Sequence, residues 1–155
     1  MKKRSFKPFG NISALTLGGG GLGQVWGETS REEAVATVNL AIEKGITHID
    51  VAPMYGKGEA ERVVGEVFKG KDLGDVKITT KCRLGTLPDD EVYERLISSL
   101  EKSLVNLNME RVDLFYCTHS YDRMIFSFIH SMSTERLIQL RFLVITMRLS
   151  QPLKD

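Results

Sequence analysis

An α/β fold built on a parallel sheet is the class this sequence predicts. Three observations predict it. Short apolar segments alternate with amphipathic helical segments at a spacing of about 30 to 35 residues, the size of one strand-helix unit. Capping residues and glycines mark where the helical segments start and stop. Polar side chains stand at or just past the ends of the strand segments, where a parallel sheet places its chemistry. Either an open, doubly wound sheet or a closed barrel meets these conditions.

The bulk properties narrow the class further. A chain of 155 residues suffices for one domain with a real core. With 42% apolar and 26% charged residues it is neither disordered nor a membrane protein in composition. A net charge of +1 argues against a nucleic acid or an anionic membrane as partner. The basic start, Met1 to Arg4, is followed by no apolar run, so no signal peptide is expected. Cys82 and Cys117 lack any C-x-x-C spacing and suit reduced thiols in the cytoplasm.

Taken in order, residues 5–13 predict a hairpin turning at Pro8 to Asn11. Ala14 to Leu17 predicts a short buried strand. Ser30 and Glu33 form a capping box that opens a helix from Arg31 to about Lys44, with Val35, Val38 and Ile42 as its apolar stripe and Gly45 as its stop. Ile46 to Val51 predicts the second strand. A helix over Glu59 to Phe68 buries Val63, Val64, Val67 and Phe68, and Gly70 and Gly74 break it. Val76 to Lys81 is the third predicted strand. Pro88 and the acids after it open a third helix, whose stripe is Val92, Leu96, Leu100, Leu104 and Leu107. Val112 to Cys117 is the fourth strand.

Between the first strand and helix lies Gly18-Gly19-Gly20-Gly21-Leu22-Gly23. It satisfies G-x-G-x-x-G, but a run this rich in glycine meets many patterns by chance. In a dinucleotide-binding turn the helix opens inside the motif; here the capping box puts it seven residues past Gly23. The run predicts a loop whose backbone approaches something closely, a ligand ahead of mere flexibility.

Four polar groups follow strand ends: Asp50 and Tyr55, Lys81, and His119. In a parallel sheet these ends share one side. An ammonium near a phenol stabilises its phenolate, a carboxylate keeps that ammonium charged, and a histidine can donate to a substrate oxygen. Together they predict a proton-donating site facing a carbonyl, with Tyr55 as general acid. Singly, each has a plainer reading as a cap, a packed ring or a solvated end. His48 shares the face of Asp50 and is expected to be a hydrogen-bonded core histidine. Without ligand-pair spacing among His48, Cys82, Cys117 and His119, no metal site is expected.

These segments resemble the aldo-keto reductases. The resemblance lies in Leu17 to Gly27, in His48 to Gly56 with Glu61 and Gly65, in Ile78 to Lys81, and in Arg111 to Phe115. It implies an incomplete (β/α) TIM-type barrel of four to five strand-helix units that reduces aldehydes or ketones with NADPH, NADH being the alternative, and without metal. By resemblance Tyr55 is the acid, Lys81 and Asp50 tune it, and His119 orients the carbonyl. Gly18, Gly19, Gly20, Gly21 and Asp50 would lie along the cofactor, and Trp26 would line the substrate pocket.

The family places its histidine six positions after the valine of V-D-L. Thr118 holds that position here and His119 follows it, so alternation turns residue 119 to the other face unless a bulge intervenes. Residues 1–120 are family-like and 121–155 are expected to be a divergent tail, with a shortened helix over 121–139 and a fifth strand over 141–146. A whole barrel needs about 250 residues. The alternative expectation is therefore a truncated, non-catalytic barrel piece, inert or self-associating through open strand edges.

Overall fold

The computed structural model describes residues 1–7, 9–85 and 87–118. The expected fourth helix, the fifth strand and His119 lie outside these residues. The elements are a hairpin, β1 (Lys3–Phe6) and β2 (Gly10–Ser13), then β3 (Leu17–Gly18), α1 (Arg31–Glu43), β4 (His48–Asp50), α2 (Glu59–Phe68), β5 (Lys77–Arg83), α3 (Asp89–Leu107) and β6 (Leu114–Thr118).

Strands β3, β4, β5 and β6 form one parallel sheet in chain order. That order decides between the two architectures. Right-handed crossovers between successive neighbours put every helix on the same face, whereas a doubly wound sheet reverses direction and covers both. The sheet is therefore wall of a (β/α) barrel, with helices outside and the opposite face inward. Ile49, Ile78, Thr80, Cys82, Phe115 and Cys117 alternate onto the helix side and are all buried. On the inner side His48, Thr79 and Leu114 are buried, whereas Asp50, Lys77, Lys81 and Tyr116 are half-buried.

Local sequence accounts for the helices. Ser30 caps α1: its hydroxyl accepts from the Glu33 amide at 3.1 Å, and the Glu33 carboxylate accepts from the Ser30 amide at 2.9 Å. Ala34, Val38 and Ala41 are the buried face of α1. The expected stripe is thus displaced by one residue at each end, because small alanines let the helix approach the sheet while Val35 and Ile42 take its flank. Helix α2 buries Val63, Val64, Val67 and Phe68 as expected. Pro88 sits at the N-cap of α3 rather than inside its first turn, and α3 ends on Asn108 at φ +51°, a residue that tolerates the left-handed region.

The first strand of the sheet is shorter and later than the sequence predicts. Ala14, Leu15 and Thr16 are exposed, and pairing begins only at Leu17. Those residues link the sheet to the hairpin, whose own pairing runs through Ser13. Ser13 and Thr47 exchange two bonds, the Ser13 amide to Thr47 Oγ1 at 2.8 Å and the Thr47 amide to Ser13 Oγ at 2.9 Å. Phe9 packs its ring 5.6 Å from that of His48. The hairpin thus closes the end of the sheet where the strands begin and leaves the other end to the loops.

At Gly65 a side chain has no room, since a Cβ would stand 2.6 Å from the Leu107 carbonyl oxygen. Helices α2 and α3 meet there backbone to side. Gly65→Ala gains helix propensity but forces two helices apart, and the clash with rigid backbone outweighs the gain. A net loss of about 1 to 2 kcal/mol in urea unfolding followed by circular dichroism is expected; an unchanged or higher midpoint would contradict this packing.

Candidate functional site

The site lies where β4 and β5 end. Asp50 is the last residue of β4, and Lys81 lies beyond the last β4 partner on β5, on the same inner face. Lys81 Nζ donates to Asp50 Oδ1 at 2.6 Å and to the Val51 carbonyl at 2.9 Å. The side chains are 16% and 31% exposed for Lys81 and Asp50, so the pair is largely withdrawn from water and weakly screened. The same ammonium stands 5.1 Å from the centre of the Tyr55 ring, within reach of its π face. Asp50 and Tyr55, close together in sequence, thus meet the distant Lys81 through its one charged group.

Glycines hold the Tyr55 loop in place. A Cβ on Gly23 would lie 2.6 Å from the Tyr55 carbonyl oxygen, and one on Gly56 would lie 2.5 Å from the Gly23 carbonyl oxygen. Gly56 also needs its φ of +62°. Gly19 donates its amide to the Asp50 carbonyl at 2.8 Å, and a side chain there would strike Val51. The close approach expected of the glycine run is thus partly to the protein's own backbone. Gly18 and Gly21 differ, with nothing within 4 Å of where a Cβ would stand. Gly18 pairs with Asp50 across the sheet, so an open notch lies beside that carboxylate.

Trp26 packs its indole over Gly20, where a Cβ would come within 2.7 Å of the ring, yet remains 80% exposed. For His119 only the approach is described. β6 pairs with β5 without a break from Leu114 to Thr118, which gives position 118 rather than 119 the parity of Lys81.

Below the pair, His48 bridges two threonines on the inner face. Its Nδ1 lies 2.9 Å from Thr16 Oγ1 and its Nε2 2.8 Å from Thr79 Oγ1. This is the hydrogen-bonded core histidine that the sequence predicts. Burial pushes its pKa below 6.5, with Asp50 and Asp113 opposing the shift. Cys82 faces α3 as expected, where Ser99 bonds to it. Burial, with the neighbouring Cys82, pushes the Cys117 thiol up to about 12. Among the described residues no group of three or more His, Cys, Asp or Glu side chains could hold a metal ion.

Two residues of the site region were given no role by the sequence reading, although Glu61 was among those carrying the family resemblance. Tyr116 is the β6 neighbour of Lys81 on the inner face. Glu61 is wholly buried beneath the sheet and bonds to Thr80, the residue before Lys81. A signal for Glu61 was available: it occupies the core-facing stripe of α2 three residues before Val64 and seven before Phe68.

Comparison with known proteins identifies the family and the fold. The model of the aldo/keto reductase family matches residues 14–125. L-galactose dehydrogenase of Arabidopsis thaliana is 32% identical over 123 residues, 76% of this chain and 39% of that protein. Aflatoxin B1 aldehyde reductase member 2 of Rattus norvegicus is 40% identical over 88 residues, 54% of this chain and 23% of that protein. Among solved structures, a thermostable aldo-keto reductase in complex with the inhibitor epalrestat superposes with a TM-score of 0.71 at 28% identity, over 94% of this chain and 53% of that one. The chain thus spans well under half the length of these two curated relatives.

The His48 arrangement carries a pH dependence. Between 6.5 and the lowered folded value, the unfolded chain takes up a proton that the folded one refuses. Unfolding free energy should therefore fall as pH drops through 6.5, and His48→Asn should flatten that slope. Equal slopes in urea titrations of the two proteins would contradict a neutral, buried His48.

Proposed function

The chain belongs to the aldo/keto reductase family, and on that premise we propose that its chemistry is NADP(H)-dependent reduction of an aldehyde or ketone to an alcohol, with Tyr55 as general acid. One observation carries the reading: the Lys81 ammonium is bonded to Asp50 at 2.6 Å and stands 5.1 Å from the Tyr55 ring centre. A cation there stabilises the phenolate left when the phenol gives up its proton, and the carboxylate keeps that cation charged away from water.

Carbonyl reduction needs a hydride at carbon and a proton at oxygen. A reduced nicotinamide supplies the hydride when bound. The share of these residues is the proton. The Tyr55 O–H bond breaks as the carbonyl oxygen takes the proton, the alcohol forms, and the phenolate rests beside Lys81 until solvent returns a proton. His119, just after β6, is the proposed donor that orients the carbonyl oxygen, a role that requires the chain to turn after Thr118.

The residues suit a nicotinamide cofactor. Gly18 and Gly21 each leave open space where a Cβ would stand, which lets a ligand come close to backbone, with Gly19 and Gly20 completing the loop. Among the described residues no donor reaches the second carboxylate oxygen of Asp50, which suits a ribose hydroxyl. NADPH is the proposed cofactor and NADH the alternative. Trp26 offers an apolar wall to a small carbonyl substrate. Two buried thiols suit a reducing cytoplasm, and no helix among the described residues is long and apolar enough to cross a membrane.

The test is NADPH consumption by the purified chain with small aldehydes. Tyr55→Phe should lower the rate by about 100-fold or more while leaving cofactor binding intact. Turnover at the unsubstituted rate in Tyr55→Phe, or none in either protein, would contradict the proposal.

A further inference from the structure

Three successive residues of β5 are held from different sides. Thr79 Oγ1 meets His48 on the inner face at 2.8 Å. Lys81 reaches Asp50 on that face at 2.6 Å. Between them Thr80 points outward and donates its hydroxyl to Glu61 Oε1 at 2.7 Å. Glu61 is 0% exposed, and its other oxygen accepts from Asn106 Nδ2 at 2.8 Å. Asn106 in turn accepts from Arg62 at 3.5 Å, beyond which lies solvent.

A buried carboxylate held by neutral donors is costly, and an apolar side chain would serve helix-on-sheet packing better. What a hydrogen bond adds is direction. The sheet needs direction at this point. β4 pairs with β5 only as far as Asp50 and Thr79, whereas β6 pairs with it from Thr79 to Arg83. Beyond Thr79, β5 has a ladder on one side only. Thr80 is the first residue past that limit and Lys81 the second.

We propose that Glu61 is a positioning residue for the site: through Thr80 it fixes the course of β5 where its second ladder ends, and so aims Lys81 at Asp50 and Tyr55. The proposal rests on the reading of those three residues as the reductase site and extends it to a residue behind the sheet. Glu61 itself touches neither substrate nor cofactor.

Lys77 supplies an internal control. It lies on the same strand and face, is held by Asp113 at 3.3 Å, and precedes the point where the ladder ends. Reductive methylation of the full chain, read by peptide mass spectrometry, compares the two lysines directly. In Glu61→Ala and in Thr80→Val the ratio of Lys81 to Lys77 labelling should rise about tenfold, the scale of one lost buried hydrogen bond. In Glu61→Gln it should stay within about twofold of the unsubstituted ratio, because the amide can accept from Asn106 and donate to the Thr80 hydroxyl. An unchanged ratio in Thr80→Val and Glu61→Ala, or an equal rise at both lysines, would overturn the proposal. If Glu61→Ala does not fold by circular dichroism, Thr80→Val and Glu61→Gln decide the matter. Labelling needs no turnover, so a protein inactive towards aldehydes leaves this test intact, and the two readings fail separately.

Discussion

A lysine and an aspartate joined across two neighbouring parallel strands set the terms for the rest of this molecule. Withdrawing both charges from water is expensive, and the bond repays that cost only if the strands keep their relative height. Much of the surrounding structure has that effect. The register of β4 and β5 puts Asp50 beside Thr79, one inner-face step short of Lys81. Asp113 fixes the other flank of β5: its carboxylate accepts from the Ile78 amide at 2.9 Å, and its own amide donates to the Ile78 carbonyl at 2.9 Å. The Val51 carbonyl then accepts a second hydrogen bond from the ammonium, so the cation is satisfied by the very chain that leads to Tyr55.

Loop packing supplies the second constraint. The glycines at 19, 23 and 56 bring two loops into backbone contact above the sheet, and none leaves room for a side chain. Their effect is to shorten the path from Asp50 to Tyr55 and to hold the phenol ring over the ammonium. Gln24 and Lys57 pay locally for this arrangement, with φ of +59° and +53° in a region that residues other than glycine seldom adopt. Such strain at the ends of strands is common where loops must hold a fixed geometry.

Much of this was legible in the sequence, and the exceptions have physical causes. The capping box at Ser30 and the apolar stripes of α2 and α3 are local signals, and they located three helices closely. Asp50, Tyr55 and Lys81 could be singled out because strand ends of a parallel sheet converge. The choice between barrel and doubly wound sheet was not legible from periodicity, since both alternate alike; strand order settles it. The first strand was misplaced because the apolar residues Ala14 and Leu15 serve a connector and stay exposed. That Gly19 and Gly23 also approach backbone far along the chain was not legible, because no local pattern records it. Glu61 was missed as a functional group because its partners lie on β5 and α3, and only the fold brings them together.

A double-mutant cycle on Asp50 and Lys81 tests the central claim most directly. Unfolding free energies of the chain, Asp50→Asn, Lys81→Met and the combined variant give the coupling between the two side chains without any appeal to activity. A sheltered pair that organises the strand ends predicts a coupling of about 1 kcal/mol or more. Additive losses, with coupling below about 0.3 kcal/mol, would contradict the account and reduce the pair to an incidental contact.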